Sequence, residues 1–116
     1  LLGHLMEVCK GSGVRAQVDF SALPLLNRVL EFADAGYVTG ASARNWASYG
    51  QDVQLAEGLG DIERALLTDP QTSGGLLVSC TPDTVTEVLS IFLQQGFSHV
   101  SVIGEIVAGE PAIVVS

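Results

Sequence analysis

Thr72, Ser73, Gly74 and Gly75 are the consecutive residues best suited to touching a ligand. Two hydroxyls can donate to phosphate oxygens, and two glycines let the backbone approach closely. They precede an apolar, strand-like run and not a helix, so this is not a P-loop, in which a helix N-terminus faces the phosphate. A polar turn opening a strand accounts for the same residues. Asp69, before Pro70, reads equally as a turn former or a ligand. Arg44, with Asn45 beside it, is the second candidate, because a guanidinium can hold phosphate oxygens in a bidentate way. Gly58-Leu59-Gly60 lacks the third glycine of a dinucleotide loop, and Asp61 and Glu63 put negative charge where a phosphate would sit, so it reads as a turn and cap. Gly11-Ser12-Gly13 follows a helix, whose negative end it meets, and reads as a connector.

Neither histidine stands in a metal-site spacing, so His4 and His99 read as structural or surface residues. Cys9 falls on a helical apolar face, and Cys80 alternates with Leu76 and Val78, which predicts two buried, reduced thiols. There is no His-Glu-x-x-His run, no Gly-x-Ser-x-Gly elbow and no Cys-x-x-Cys pair. These residues therefore assign neither a catalytic group nor a metal site.

Elements to position these residues follow from periodicity. Leu2, Leu5, Met6 and Cys9 keep i, i+3, i+4, i+7 spacing, although nothing upstream could cap the helix. The expectation is that the natural start lies upstream and that the chain is the C-terminal part of a longer protein. Val14 to Phe20 alternates as a half-buried strand, and a helix follows Pro24 with a stripe at Leu26, Val29, Leu30 and Ala33 and a stop at Gly36. From Tyr37 to about Gly60 neither period holds, so a long functional loop carrying Arg44, Asn45 and Trp46 is expected. Asp61 caps a short helix through Leu67, and Leu76 to Cys80 reads as a buried strand. Thr81 at the N-cap and Pro82 at N1 start a helix with a stripe at Val85, Val88, Leu89 and Phe92, ending at Gly96. His99 to Ala108 and Ala112 to Val115 read as a closing hairpin or strand pair. The sum is an α+β layered sandwich, three helices lying on a mixed sheet, in a single domain over residues 1–116.

Composition narrows the function. Thirteen acidic against five scattered basic side chains give a formal charge of −8, which leaves no basic stripe for a nucleic acid. No apolar run approaches the roughly 20 residues of a membrane span, and no signal peptide is evident, so a cytoplasmic protein with reduced cysteines is expected. At this length an apolar core suffices without disulfides or a structural metal.

Leu67-Thr68-Asp69-Pro70-Gln71-Thr72-Ser73-Gly74-Gly75-Leu76-Leu77 resembles the signature of the selenophosphate synthetases, the selenide, water dikinases. Leu1 to Leu5 with Gly11 to Val14, and Arg44-Asn45-Trp46-Ala47-Ser48-Tyr49-Gly50, agree with that family. Val102 to Ile106 is similar to the end of the broader aminoimidazole ribonucleotide synthetase superfamily. The resemblance spans the chain. It implies the C-terminal domain of a two-domain enzyme that uses ATP, Mg²⁺ and water to phosphorylate selenide, giving selenophosphate, AMP and phosphate, and that is a homodimer when full length. The family's nucleophile, catalytic lysine and most metal-binding aspartates belong to the N-terminal half, and a further metal-binding aspartate lies just before the stretch matching Leu1. No catalytic residue is therefore carried over, and the chain alone is expected to be inactive and to bind no cofactor. Arg44, Asn45, Asp69, Thr72, Ser73, Gly74 and Gly75 remain as residues expected to line the cleft facing the N-terminal domain. Two other readings stand beside this one: the equivalent domain of another superfamily member, such as thiamine-monophosphate kinase or aminoimidazole ribonucleotide synthetase, and a non-catalytic binding module.

Overall fold

The computed structural model describes all 116 residues, Leu1–Ser116. Its centre is a four-stranded mixed sheet made of β1 (Val14–Val18), β2 (Val53–Leu55), β3 (Gly104–Ala108) and β4 (Ala112–Val115), in the order β2-β4-β1-β3. β1 runs parallel to β4 and antiparallel to β3, and β2 runs parallel to β4. The α+β fold with a mixed sheet is as expected, but β3 and β4 do not pair with each other. β1 lies between them, because the apolar alternation of β1 serves a central strand as well as an edge strand.

The helix α1 (Leu2–Ser12) lies on one face of this sheet. Its Leu2, Leu5, Met6 and Cys9, one face of the helix, close over Ala16, Val18, Val53, Ile113 and Val115 to form the core. Ile113 sits opposite both Ala16 and Val53, so one residue's packing joins three strands. Gly13 ends α1 in the left-handed conformation, where its N–H reaches the Cys9 carbonyl, and β1 begins at the next residue.

The segment from Tyr37 to Gly60 is not a loop. It holds α3 (Gly40–Tyr49), a 3-10 turn at Gly50–Asp52 and β2. The helix is hidden from apolar periodicity because its inward side carries Ser42 and Asn45, whose polar atoms meet partners, together with the amphipathic Trp46 and Tyr49. α3 comes close to α1 at Gly3, where an added Cβ would stand 3.3 Å from the Tyr49 ring. α4 (Asp61–Thr68) packs against α3 and buries Leu67 and Thr68. Asp61 is its first helical residue and not its cap. The Gly60 N–H is satisfied by the Glu63 carboxylate at 2.8 Å.

Two of the three helices expected on the sheet lie elsewhere. α2 is reduced to Val29–Asp34 and packs on α4, with only Ala33 buried and Leu26 81% exposed. Its start is set by Arg28, whose positive φ of 64° is held by a bond from Nε to Glu31 at 2.9 Å and by the guanidinium standing over the Phe32 ring. α5 (Val85–Gln94) follows a 3-10 turn at Pro82–Thr84, so Thr84 and not Thr81 is its N-cap, and no residue of α5 is buried. Leu76 to Cys80, read as a buried strand, is exposed and belongs to no ladder, so Cys80 is an exposed thiol and only Cys9 is buried. No helix is long and apolar enough to cross a membrane.

Candidate functional site

The α3–α4 pairing builds the neighbourhood of Asp69. Asn45, on the inward side of α3, donates from Nδ2 to the Thr68 carbonyl at 2.8 Å, one residue before Asp69. Thr39, just ahead of α3, donates from Oγ1 to Asp69 Oδ1 at 3.2 Å, and its hydroxyl also meets that of Ser42. Ser42 is buried and donates to the Ala65 carbonyl, while the Thr68 hydroxyl donates to the Arg64 carbonyl at 2.7 Å. These bonds satisfy hydroxyls that would otherwise be costly to bury. They also fix where the chain leaves α4. The Leu1 nitrogen donates to the Leu67 carbonyl at 3.3 Å, so the first residue of the chain stands against the same helix end.

Beside this corner a cleft of about 330 Å³ opens between α3 and α4, lined by Thr39, Ser42, Trp46, Asp61, Arg64 and Thr68 among others. Arg64 lies over the Trp46 ring, 5.4 Å from its centroid, and pairs with Asp61 at 3.0 Å. The cleft is at the small end of ligand-binding volumes. Thr39, Ser42, Arg64 and Thr68 were not among the residues singled out from sequence. Trp46, the only tryptophan, beside Asn45, was the one hint.

The sequence candidates thus divide. Asn45 and Asp69 come together through the end of α4. Thr72, Ser73, Gly74 and Gly75 follow in an exposed turn, where their side chains make no hydrogen bond within the chain. Arg44 is exposed on α3 and forms no ion pair. A Cβ added at Gly40 would stand 3.8 Å from its guanidinium, so the side chain lies back along its own helix toward the first turn of α3. No three His, Cys, Asp or Glu side chains gather as a metal cage.

The turn follows the end of α4 with Thr72 and Ser73 exposed. The family described as "AIR synthase related protein, C-terminal domain" matches residues 1–116. The chain belongs to that family. Among curated relatives, a selenide, water dikinase of Dechloromonas aromatica (strain RCB) is 67% identical over 113 residues, covering 97% of this chain and 32% of the relative. A selenide, water dikinase of Pseudomonas straminea is 53% identical over 115 residues, covering 99% of this chain and 32% of the relative. One from Rhizobium meliloti (strain 1021) is 42% identical over 113 residues, covering 97% and 32% respectively. This AIR synthase related C-terminal domain spans about a third of the length of the relatives it matches.

Proposed function

We propose that the chain is the C-terminal domain of a cytoplasmic selenide, water dikinase, an enzyme using ATP, Mg²⁺ and water to make selenophosphate, AMP and phosphate, and that residues 1–116 act within it as one domain. The observation that carries this is the 67% identity to a protein of that name across 97% of the chain. In this reading the upstream half supplies the nucleophile, the lysine and the metal ligands, and the full-length enzyme is a homodimer.

The geometry supports a part for this domain at the turn that begins at Asp69. In a chain that continues upstream, the segment entering at Leu1 arrives beside the end of α4 and the turn that begins at Asp69. The resemblance puts a metal-binding aspartate in that entering segment. Asp69, anchored by Thr39 and by the Asn45 bond to Thr68, fixes where the turn starts. Thr72 and Ser73 then offer hydroxyl donors to phosphate oxygens, and Gly74 and Gly75 allow close approach. Arg44 contributes positive charge to the same side once its guanidinium swings off α3. Mg²⁺, held by the other half, would supply the charge neutralisation that phosphoryl transfer needs.

The reading is tested by assaying selenide-dependent AMP formation with the full-length protein and with residues 1–116 alone. Activity is expected only in the former. AMP formation by the isolated chain above a protein-free control would overturn the division of labour.

A further inference from the structure

The end of α2 and the segment leading into α3 present an open apolar strip. Phe32 is 46% exposed, Tyr37 77% and Val38 46%. The two rings meet edge-on with centroids 6.0 Å apart, and the Arg28 guanidinium stands over Phe32 at 5.1 Å, so the aromatic pair is ordered while its outer side stays open. Val38 carries the strip into the α3–α4 cleft, whose wall continues through Ala43 to Trp46, with Arg64 over that ring. Aromatic side chains and arginine gathered on one apolar surface are the composition of an interface centre.

The place of this surface in the fold selects its occupant. Thr39, the residue after Val38, donates to Asp69, and Thr68 lines the cleft. The Leu1 nitrogen donates to the carbonyl of Leu67, one residue before Thr68. The cleft, the turn and the point where an upstream segment enters therefore meet at the C-terminal end of α4. The chain covers 32% of each of two relatives, so most of such a protein lies outside it.

We propose that Phe32, Tyr37 and Val38, with the cleft beside them, form the surface on which the part of the protein upstream of Leu1 docks, an apolar segment of that part entering between Val38 and Trp46. This inference rests on the reading of the chain as the C-terminal domain of a longer enzyme. A partner tethered at Leu1 reaches the strip at an effective concentration that a second copy must match by mass action. Docking there closes over Thr39, which holds Asp69, so the same contact sets the near end of the turn against the upstream half.

The test uses the full-length protein and compares Tyr37→Cys with Gln51→Cys. Gln51 is exposed and stands by the far end of α1 from Leu1, where Lys10 pairs with the neighbouring Asp52 at 2.8 Å. With N-ethylmaleimide, and each thiol followed by peptide mass spectrometry, Tyr37→Cys is expected to react about tenfold or more slowly than Gln51→Cys, because modification must wait for the docked surface to open. With p-benzoylphenylalanine in place of Tyr37, illumination is expected to join residue 37 to a peptide from upstream of Leu1. Equal thiol reaction rates, or photoproducts confined to residues 1–116 of the same or a second copy, would overturn the proposal. Neither readout depends on turnover. Selenide-dependent AMP formation with residue 37 open would refute the docking surface alone, and a masked residue 37 without AMP formation would refute the enzymatic reading alone.

Discussion

Asn45 Nδ2 and the Thr68 carbonyl oxygen stand 2.8 Å apart, a single bond that ties the middle of α3 to the end of α4 one residue ahead of Asp69. Thr68 is 2% exposed, so no bulk water is at hand to replace the donor. Asn45→Ala is expected to destabilise the fold by about 1–3 kcal/mol, the cost of an orphaned buried acceptor. Urea unfolding measures it, and an unchanged midpoint would show that the bond carries no weight.

The core makes a sharper demand. Ile113 is fully buried where β4 faces β1, β2 and α1. Ile113→Ala should cost about 2–5 kcal/mol, transfer and cavity together. Leu26→Ala, at an 81% exposed position, should change stability by less than about 0.5 kcal/mol, although sequence periodicity alone put Leu26 on a buried stripe.

Gly104 opens β3 at φ 157°, and a Cβ there would run into the Gln17 carbonyl oxygen on the paired strand. Gly104→Ala is expected to lower stability by about 1–3 kcal/mol through strain alone. Thermal unfolding tests this, since Gly11→Ala meets nothing within 4 Å and serves as the control.

Alkaline pH should weaken the fold. Burial pushes the Cys9 thiol up, partly offset by a hydrogen bond with the Ala16 backbone, and burial likewise raises the Tyr49 hydroxyl. Both groups hold their proton more tightly folded than unfolded. Their contribution is therefore complete below the unfolded thiol pKa of about 8.5 and declines as pH rises through and above it. The melting temperature should fall above about pH 8.5, and Cys9→Ala should remove the early part of the fall. A rise would contradict the sign.

What was legible in the sequence tracks how each element is stabilised. α1 and β1 were read correctly because Leu2, Leu5, Met6, Cys9, Ala16 and Val18 are buried by their own apolar pattern. α3 was missed because Ser42 and Asn45 earn their inward places by hydrogen bonding, which leaves no apolar period to find. The order of β3, β1 and β4 is a long-range choice that neighbouring residues do not encode. In the sequence Asp69 stands out as a turn former or ligand before Pro70, and Asn45 separately as the neighbour of Arg44. Their meeting through Thr68 and Thr39 required the fold.

The turn from Asp69 to Gly75 carries the central functional claim. The direct measurement is selenide-dependent turnover of the full-length protein, followed together with its melting temperature, for wild type, Thr72→Ala with Ser73→Ala, and Arg44→Ala. Each variant is expected to lose about tenfold in kcat or to gain as much in the KM for ATP, equivalent to roughly 1.4 kcal/mol, with little change in melting temperature. Full activity in both variants, or losses that only track stability, would contradict the account and leave the turn a structural connector.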